Sequence, residues 1–382
     1  MGGKAGVCLR DEEVEDLQFR GPVTKKNCSD GAGRLMAWGS AEMQGWRESM
    51  EDAHLLLPSL REAVLSEKKL GEAQVDAGWE NVGLFGVMDG HGGFQVAKFC
   101  ERHLPEAIAA RSSTDPAVAM AKSFVEMDEL LQEPEGLKEL RRLSALAKSA
   151  RARRQTAEGM GCTVVLSCIT PNALIVANAG DSRAVLCRNG QAVDLSKDHK
   201  PELPCERSRI ESAGGWIEGG SVLRVNGDLS LSRAVGDLEY KLNPQLPPER
   251  QIVTSSPDVR VVPRQPQDEF LILACDGIWD VLSSQTAVDF LRKELGDRSS
   301  WAPRLASGQL RLSELLSRLL DRCLSPDLKL TDGLGGDNMT AVLVLFLPML
   351  VTAQSALAGC TRAVRAVGPP RLMPAKLAQI AA

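Results

Sequence analysis

Thr163-Val164-Val165-Leu166-Ser167-Cys168-Ile169, the turn Thr170-Pro171-Asn172, and Ala173-Leu174-Ile175-Val176-Ala177-Asn178-Ala179 form the stretch that decides the fold. Runs this short and this rich in Val and Ile predict strands, and a short Pro-Asn turn between them predicts an antiparallel hairpin. Just downstream, Arg183 to Arg188, Asn189-Gly190, and Gln191 to Leu195 predict a second hairpin, because Asn-Gly suits the two left-handed positions of a type I′ turn. Leu84 to Met88, Phe270 to Cys275 and Thr340 to Phe346 read as further strands. Helical spacing covers Gln95 to Ala110, with Pro105 expected to break it, then Ala117 to Gln132 and Gly136 to Gln155. Ser284 to Leu295 and Leu310 to Leu324 are helical as well, whereas Asp198 to Gly220 is a polar, Gly-rich surface excursion with a short helix around Glu206 to Ala213. Hairpins separated by groups of helices, without β-α-β alternation, define an α+β class. Residues 1–34 are polar and read as an N-terminal extension, 35–347 as the folded domain, and 348–382 as a proline-containing C-terminal tail.

Composition limits the function. With 382 residues, 43% of them hydrophobic, the chain can bury a large core. A net charge of -5 argues against a general nucleic-acid binder. The ten cysteines contain no C-x-x-C pair, so neither a zinc knuckle nor a disulfide framework is indicated, and reduced thiols in the cytoplasm or nucleus are expected. The opening residues do not resemble a signal peptide, and the apolar run Ala341 to Val351 is too short to span a bilayer. Gly6 stands where a myristoylation pattern carries Ser or Thr, so a soluble monomer is expected, with acylation at Gly2 and Cys8 as the membrane-associated alternative.

Four aspartates carry the chemistry. Asp89-Gly90, Asp181-Ser182, Asp276-Gly277 and Asp337-Asn338 each stand at the end of an apolar run. One Asp-Gly is ordinarily a turn. Four carboxylates brought together at strand ends repel one another unless something positive lies between them, and hard oxygen ligands suit Mg²⁺ or Mn²⁺. A nearby basic residue for phosphate makes such a site fit for metal-assisted phosphoryl chemistry.

The string Met43-Gln44-Gly45-Trp46-Arg47-Glu48-Ser49-Met50-Glu51-Asp52-Ala53-His54 resembles the opening motif of the metal-dependent serine/threonine protein phosphatases of the 2C type. Phe85 to Gly93, Asn178 to Leu186, Asp198 to Pro201, Arg224 to Asp237, Leu273 to Val281 and Gly336 to Thr340 follow that family's further motifs in order. The resemblance implies a central β-sandwich of two antiparallel sheets flanked by helices on both sides, with two Mn²⁺ or Mg²⁺ ions. It also implies hydrolysis of phosphoserine and phosphothreonine in protein substrates by a metal-bridging water, with no phosphoenzyme. By the same resemblance Asp89 bridges both ions, the Gly90 carbonyl and Glu51 serve one, and Asp276 and Asp337 complete the other. Arg47 binds the substrate phosphate, His91 protonates the leaving alcohol, and Asp181 and Asp280 can hold a third, weaker ion. Met88 and Cys162 depart from the commoner pattern without touching a ligand.

Plainer readings stand beside these. Asp181 suits a turn cap and Asp280 a helix cap as readily as a metal. His91 can be a hydrogen-bonded turn residue, and His54, His103 and His199 read as structural. Asp52 fits either support of the site or an ordinary turn. Gly92-Gly93 suits close packing rather than phosphate cradling, and the basic stretch Lys138 to Arg154 reads as a solvated helix face. A binding module that had lost its chemistry would lack ligands, and this sequence retains them all.

Overall fold

Met339–Phe346 is buried along its whole length, which explains why the apolar runs of this chain do not alternate with polar residues. In a computed structural model, which describes residues 21–33, 35–67, 70–79, 81–146 and 159–347, this strand has a core on each face. Met339, Ala341, Leu343 and Leu345 enter one core, and Val342, Val344 and Phe346 enter the other, as a period of two requires.

The strand is β16 of a six-stranded sheet in the order β1 (Val23–Ala32), β2 (Met36–Gly45), β16, β15 (Asp268–Ala274), β9 (Arg183–Arg188), β10 (Gln191–Asp194). A five-stranded sheet packs against it in the order β14 (Asp258–Pro263), β8 (Ala173–Ala179), β7 (Val164–Ile169), β4 (Gly83–Met88), β3 (Ala53–Leu57). Every pairing within the two is antiparallel. Phe85, Val87, Val165 and Val176 of one sheet meet Leu186, Leu271, Leu273 and Val344 of the other. Outside the five-stranded sheet lie α2 (Gln95–Ala109), α3 (Pro116–Gln132) and α4 (Pro134–Leu146). Outside the six-stranded sheet lie α7 (Ser284–Leu295) and α9 (Leu312–Cys323). The helix-flanked antiparallel sandwich expected from the sequence is the fold observed.

Several details differ from expectation. Pro105 does not break its helix. Val96, Phe99, Cys100, Leu104 and Ile108 bury one continuous face, which offsets the single hydrogen bond a proline removes. The helix expected over Gly136 to Gln155 is seen from Pro134 to Leu146, and 147–158 lie outside the described residues. Val23–Ala32, within the stretch read as an extension, is an edge strand paired with β2. Its outward residues are polar and dock on α9 through Lys26–Asp321 (2.5 Å) and the Ser313 N–H to Asp30 (2.8 Å). Gly2, Cys8 and the tail 348–382 lie outside the described residues. The Asn189-Gly190 turn has both residues at positive φ, 49° and 77°, as a type I′ turn demands. The excursion after Asp198 is larger than expected. It carries α5 (Pro204–Ser212) and the hairpin β11 (Ile217–Gly219) and β12 (Leu223–Val225), and it has a small core of Ile210, Val225, Leu231, Ala234, Tyr240 and Val253. Among the described residues, no helix is long and apolar enough to cross a membrane.

Candidate metal centre

Strand register gathers the acidic residues. In the six-stranded sheet Ala274 pairs with both Ala341 and Arg183, and Met339 with Met43. The end of β15, the start of β16 and the end of β2 therefore coincide, delivering Asp276, Asp337 and Arg47. In the other sheet Met88 pairs with Ala53 and Val164 with Ala179, which brings Asp89, Asp52 and Asp181 to one end.

Arg47 and Asp337 form an ion pair of 2.6 Å. Asp337 is the main reason the guanidinium is held more firmly charged than usual, with Asp276 and Asp89 adding to it. The arginine read as a phosphate fork is thus also the counter-ion of a carboxylate read as a metal ligand. Asn338 knits the site: its Oδ1 accepts from the Glu51 N–H (2.8 Å), and its Nδ2 donates to the carbonyls of Gln44 and Ser49. Glu51 is held through its own oxygens, one accepting from Ser49 Oγ (2.6 Å) and the other from the Gly93 N–H (2.9 Å). Gly92 and Gly93 take φ of 70° and 140° to make that approach, and a Cβ on either would collide with Gly159 or Gln95, the close packing expected of them.

Behind them lies uncompensated negative charge. Among the described residues, Asp52, Asp89 and Cys275 form a group whose ligand atoms all lie within 4.8 Å of one another. Among the described residues, neither oxygen of Asp52, which is 2% exposed, meets a donor in good hydrogen-bond geometry, although Thr340, Cys275 and Asp89 lie against it. Burial, then the charge of Asp337, pushes Asp52 up to about 7. Burial and the charges of Asp52, Asp276, Asp337 and Asp181 push Asp89 well above the carboxylate range. Burial with Asp280, Asp181 and Asp337 does the same to Asp276, and Asp280 is raised to about 7. Lys200 relieves part of this, with Nζ 2.5 Å from Asp181. Buried carboxylates that raise one another's pKa and lack donors are a set of hard oxygen ligands in need of positive charge, and divalent cations fit them.

His91 Nε2 lies 2.7 Å from Asp237. Burial works against its protonation, but Asp237 and then Glu51 outweigh burial and raise the pKa above the ordinary histidine value. The other histidines are structural, as read: His54 bonds Ser40 and Glu42, His103 bonds Glu139, and His199 bonds Asp258 and the Gly180 N–H. Sequence reasoning missed Lys200, Asn338, Cys275 and Asp237 as members of the site. Each stands inside a motif quoted above, but its partner lies far away in the chain.

A helix-covered β-sandwich carries at one end a carboxylate cluster that cations would fit, with Arg47 beside it. The family model described as Protein phosphatase 2C matches residues 36–327, and the chain belongs to that family. It is 41% identical over 359 residues to "Probable protein phosphatase 2C 11" of Oryza sativa, covering 85% of this chain and 89% of that one. It is likewise 41% identical over 330 residues to "Protein phosphatase 2C homolog 2" of Schizosaccharomyces pombe, covering 85% and 77%. Among solved structures, a phosphatase from Toxoplasma gondii superposes with a TM-score of 0.62 at 25% identity, covering 85% of this chain and 96% of that chain.

Proposed function

We propose that this protein hydrolyses phosphoserine and phosphothreonine in protein substrates, depends on Mn²⁺ or Mg²⁺, and forms no phosphoenzyme. The observation that carries the reading is the cluster of mutually repelling carboxylates Asp52, Asp89, Asp276 and Asp280 beside Arg47. Asp89, the Gly90 carbonyl, Glu51, Asp276 and Asp337 would hold two ions, and Asp181 with Asp280 a third. Bound ions supply an acidified water and charge neutralisation at the phosphoryl group. Arg47 offers a planar fork matched to two phosphoryl oxygens, which a lysine would not reproduce. His91, tied at Nε2, has Nδ1 without a partner among the described residues, and this atom can pass a proton to the leaving alkoxide.

A cysteine nucleophile is disfavoured. Cys275 is buried, its Sγ accepts from the Thr340 N–H (3.1 Å), and burial beside Asp52 and Asp89 keeps its thiol protonated. The test compares phosphothreonine peptides with metabolite phosphate esters, in Mn²⁺ and in chelator. Peptide turnover that needs the ion is expected. A strong preference for metabolites would replace protein substrates with small ones, and no turnover above the chelated control would leave a binding module.

A further inference from the structure

We propose that Asp237 is a positioning residue for the proton transfer at His91, holding the imidazole through Nε2 so that Nδ1 is the nitrogen left to serve the leaving alkoxide. The inference rests on the phosphatase reading above and extends it to a residue 146 positions further along the chain.

Three observations carry it. First, the contact is short and shielded: 2.7 Å, with the Asp237 side chain 2% exposed and that of His91 26% exposed. Second, the ordinary use of an aspartate at this place is absent. Asp237 opens a short 3₁₀ turn, Leu238–Tyr240, but its side chain makes no capping bond there. Its backbone is instead held in the left-handed region, φ 47° and ψ 45°, by its N–H donating to the Met160 carbonyl (2.8 Å). A non-glycine residue in that conformation carries strain that the surrounding structure must hold in place. Third, the backbone makes room for the pair. A small sheet of β13 (Val235–Gly236), β6 (Gly161–Cys162) and β5 (Gly90–His91) pairs His91 with Gly161 and Gly161 with Gly236. A Cβ on Gly161 would collide with both Asp237 Oδ2 and His91 Nε2. Glycine at that strand position is therefore a requirement of the His91–Asp237 contact itself.

In the step so assisted, the oxygen of water bonds to phosphorus as the ester P–O bond breaks. His91 Nδ1 gives its proton to the alkoxide, and the proton released by the water restores the imidazolium. Asp237 fixes the ring's tautomer and orientation, the role a buried carboxylate plays behind a catalytic histidine elsewhere.

The experiment uses Asp237→Ala and Asp237→Asn, each alone and combined with His91→Gln. Turnover is measured on a phosphothreonine peptide and on p-nitrophenyl phosphate, with Mn²⁺ affinity followed by calorimetry. A threonine alkoxide needs the proton, whereas p-nitrophenolate needs little help. Asp237→Ala should lower peptide kcat at least about tenfold but by no more than the ~10²–10⁴-fold expected of His91→Gln, and change p-nitrophenyl phosphate turnover less than about threefold. Asp237→Asn keeps an acceptor oxygen and tolerates the left-handed backbone, so its loss should be intermediate. Neither should lower peptide turnover further once His91 is Gln. Equal losses on both substrates, or losses that add fully to those of His91→Gln, would overturn the proposal.

Ring-nitrogen NMR is an independent check, simplified by a chain with only four histidines. His91 should be the Nε2-protonated tautomer when neutral and lose that preference in Asp237→Ala. Unchanged ring shifts overturn the positioning role. If the wild type instead prefers metabolite esters, only the protein-substrate reading falls, and the spectrum still decides whether Asp237 fixes His91.

Discussion

Arg47 is asked to do two things with one guanidinium. It pairs with Asp337 at 2.6 Å, and in the proposed function it also meets the substrate phosphate. Both tasks use positive charge, but only the second needs two parallel N–H donors at fixed spacing. Arg47→Lys should keep Asp337 neutralised, leave Mn²⁺ affinity within about threefold, and raise KM for a phosphopeptide by roughly tenfold, the loss of a single charge-assisted hydrogen bond. Steady-state kinetics with calorimetry checks this, and an unchanged KM would confine Arg47 to its ion pair. Asp89 differs because it faces Asp52, Asp276, Asp337 and Asp181 at once. Asp89→Asn removes the charge at the centre of that set while preserving its shape. Turnover should fall by more than the ~10–100-fold typical of residues one step further from a metal, and excess Mn²⁺ should not restore it. Ordinary turnover at ordinary Mn²⁺ would falsify the central placement of Asp89.

At the scale of elements, strands buried on both faces were the most legible part of the sequence. β7, β8, β15 and β16 are mostly apolar and buried almost throughout, and Asn189-Gly190 announced its own turn. β1 was hidden because most of its residues are exposed; its place is set by pairing and by polar contacts to α9 that no local pattern encodes. β5, β6 and β13 have two residues each and no periodicity to read, yet they build the His91–Asp237 contact. Asp89, Asp181, Asp276 and Asp337 were legible because each flanks a strand. Lys200 was not, since its role appears only when the loop after β10 folds back on Asp181. Its ammonium is 2.5 Å from Asp181; burial opposes its charge, but Asp181, Asp276 and Asp280 outweigh that. Lys200 thus stands where a further cation between those carboxylates would need to be. Lys200→Met should remove the competing charge and tighten Mn²⁺ binding there by about tenfold or more, given ~1–4 kcal/mol for a unit charge at such range. Calorimetric titration showing equal or weaker binding would mean that Lys200 supports the ion rather than opposing it.

The whole molecule answers pH through two sets of carboxylates with opposite signs. Glu206 is 1% exposed and paired with Arg233 at 2.6 Å. Burial raises its pKa, but Arg233 and Arg209 prevail and bring it to about 2. Its contribution is complete above the ordinary glutamate range and is lost as pH falls from about 4.5 toward 2. The clustered carboxylates run the other way. Asp52 and Asp280 are raised from 3.8 to about 7, chiefly by burial, and Asp89 and Asp276 are also pushed well up. Without cations, the folded chain therefore binds more protons than the unfolded chain between about pH 4 and 7, so its stability falls as pH rises through that window. Divalent cations that bind only the folded, ionised site should reverse the trend. Metal-free protein, melted by calorimetry at about pH 5.5 and about pH 7.5, should lose roughly 5 °C or more in Tm at the higher pH. Saturating Mn²⁺ should raise the higher-pH value most and flatten the slope. A metal-free Tm that is level or rises over that interval would show the carboxylates to be compensated by the protein's own groups. So would a slope that Mn²⁺ leaves unchanged, and in either case the cluster would have no need of the ions.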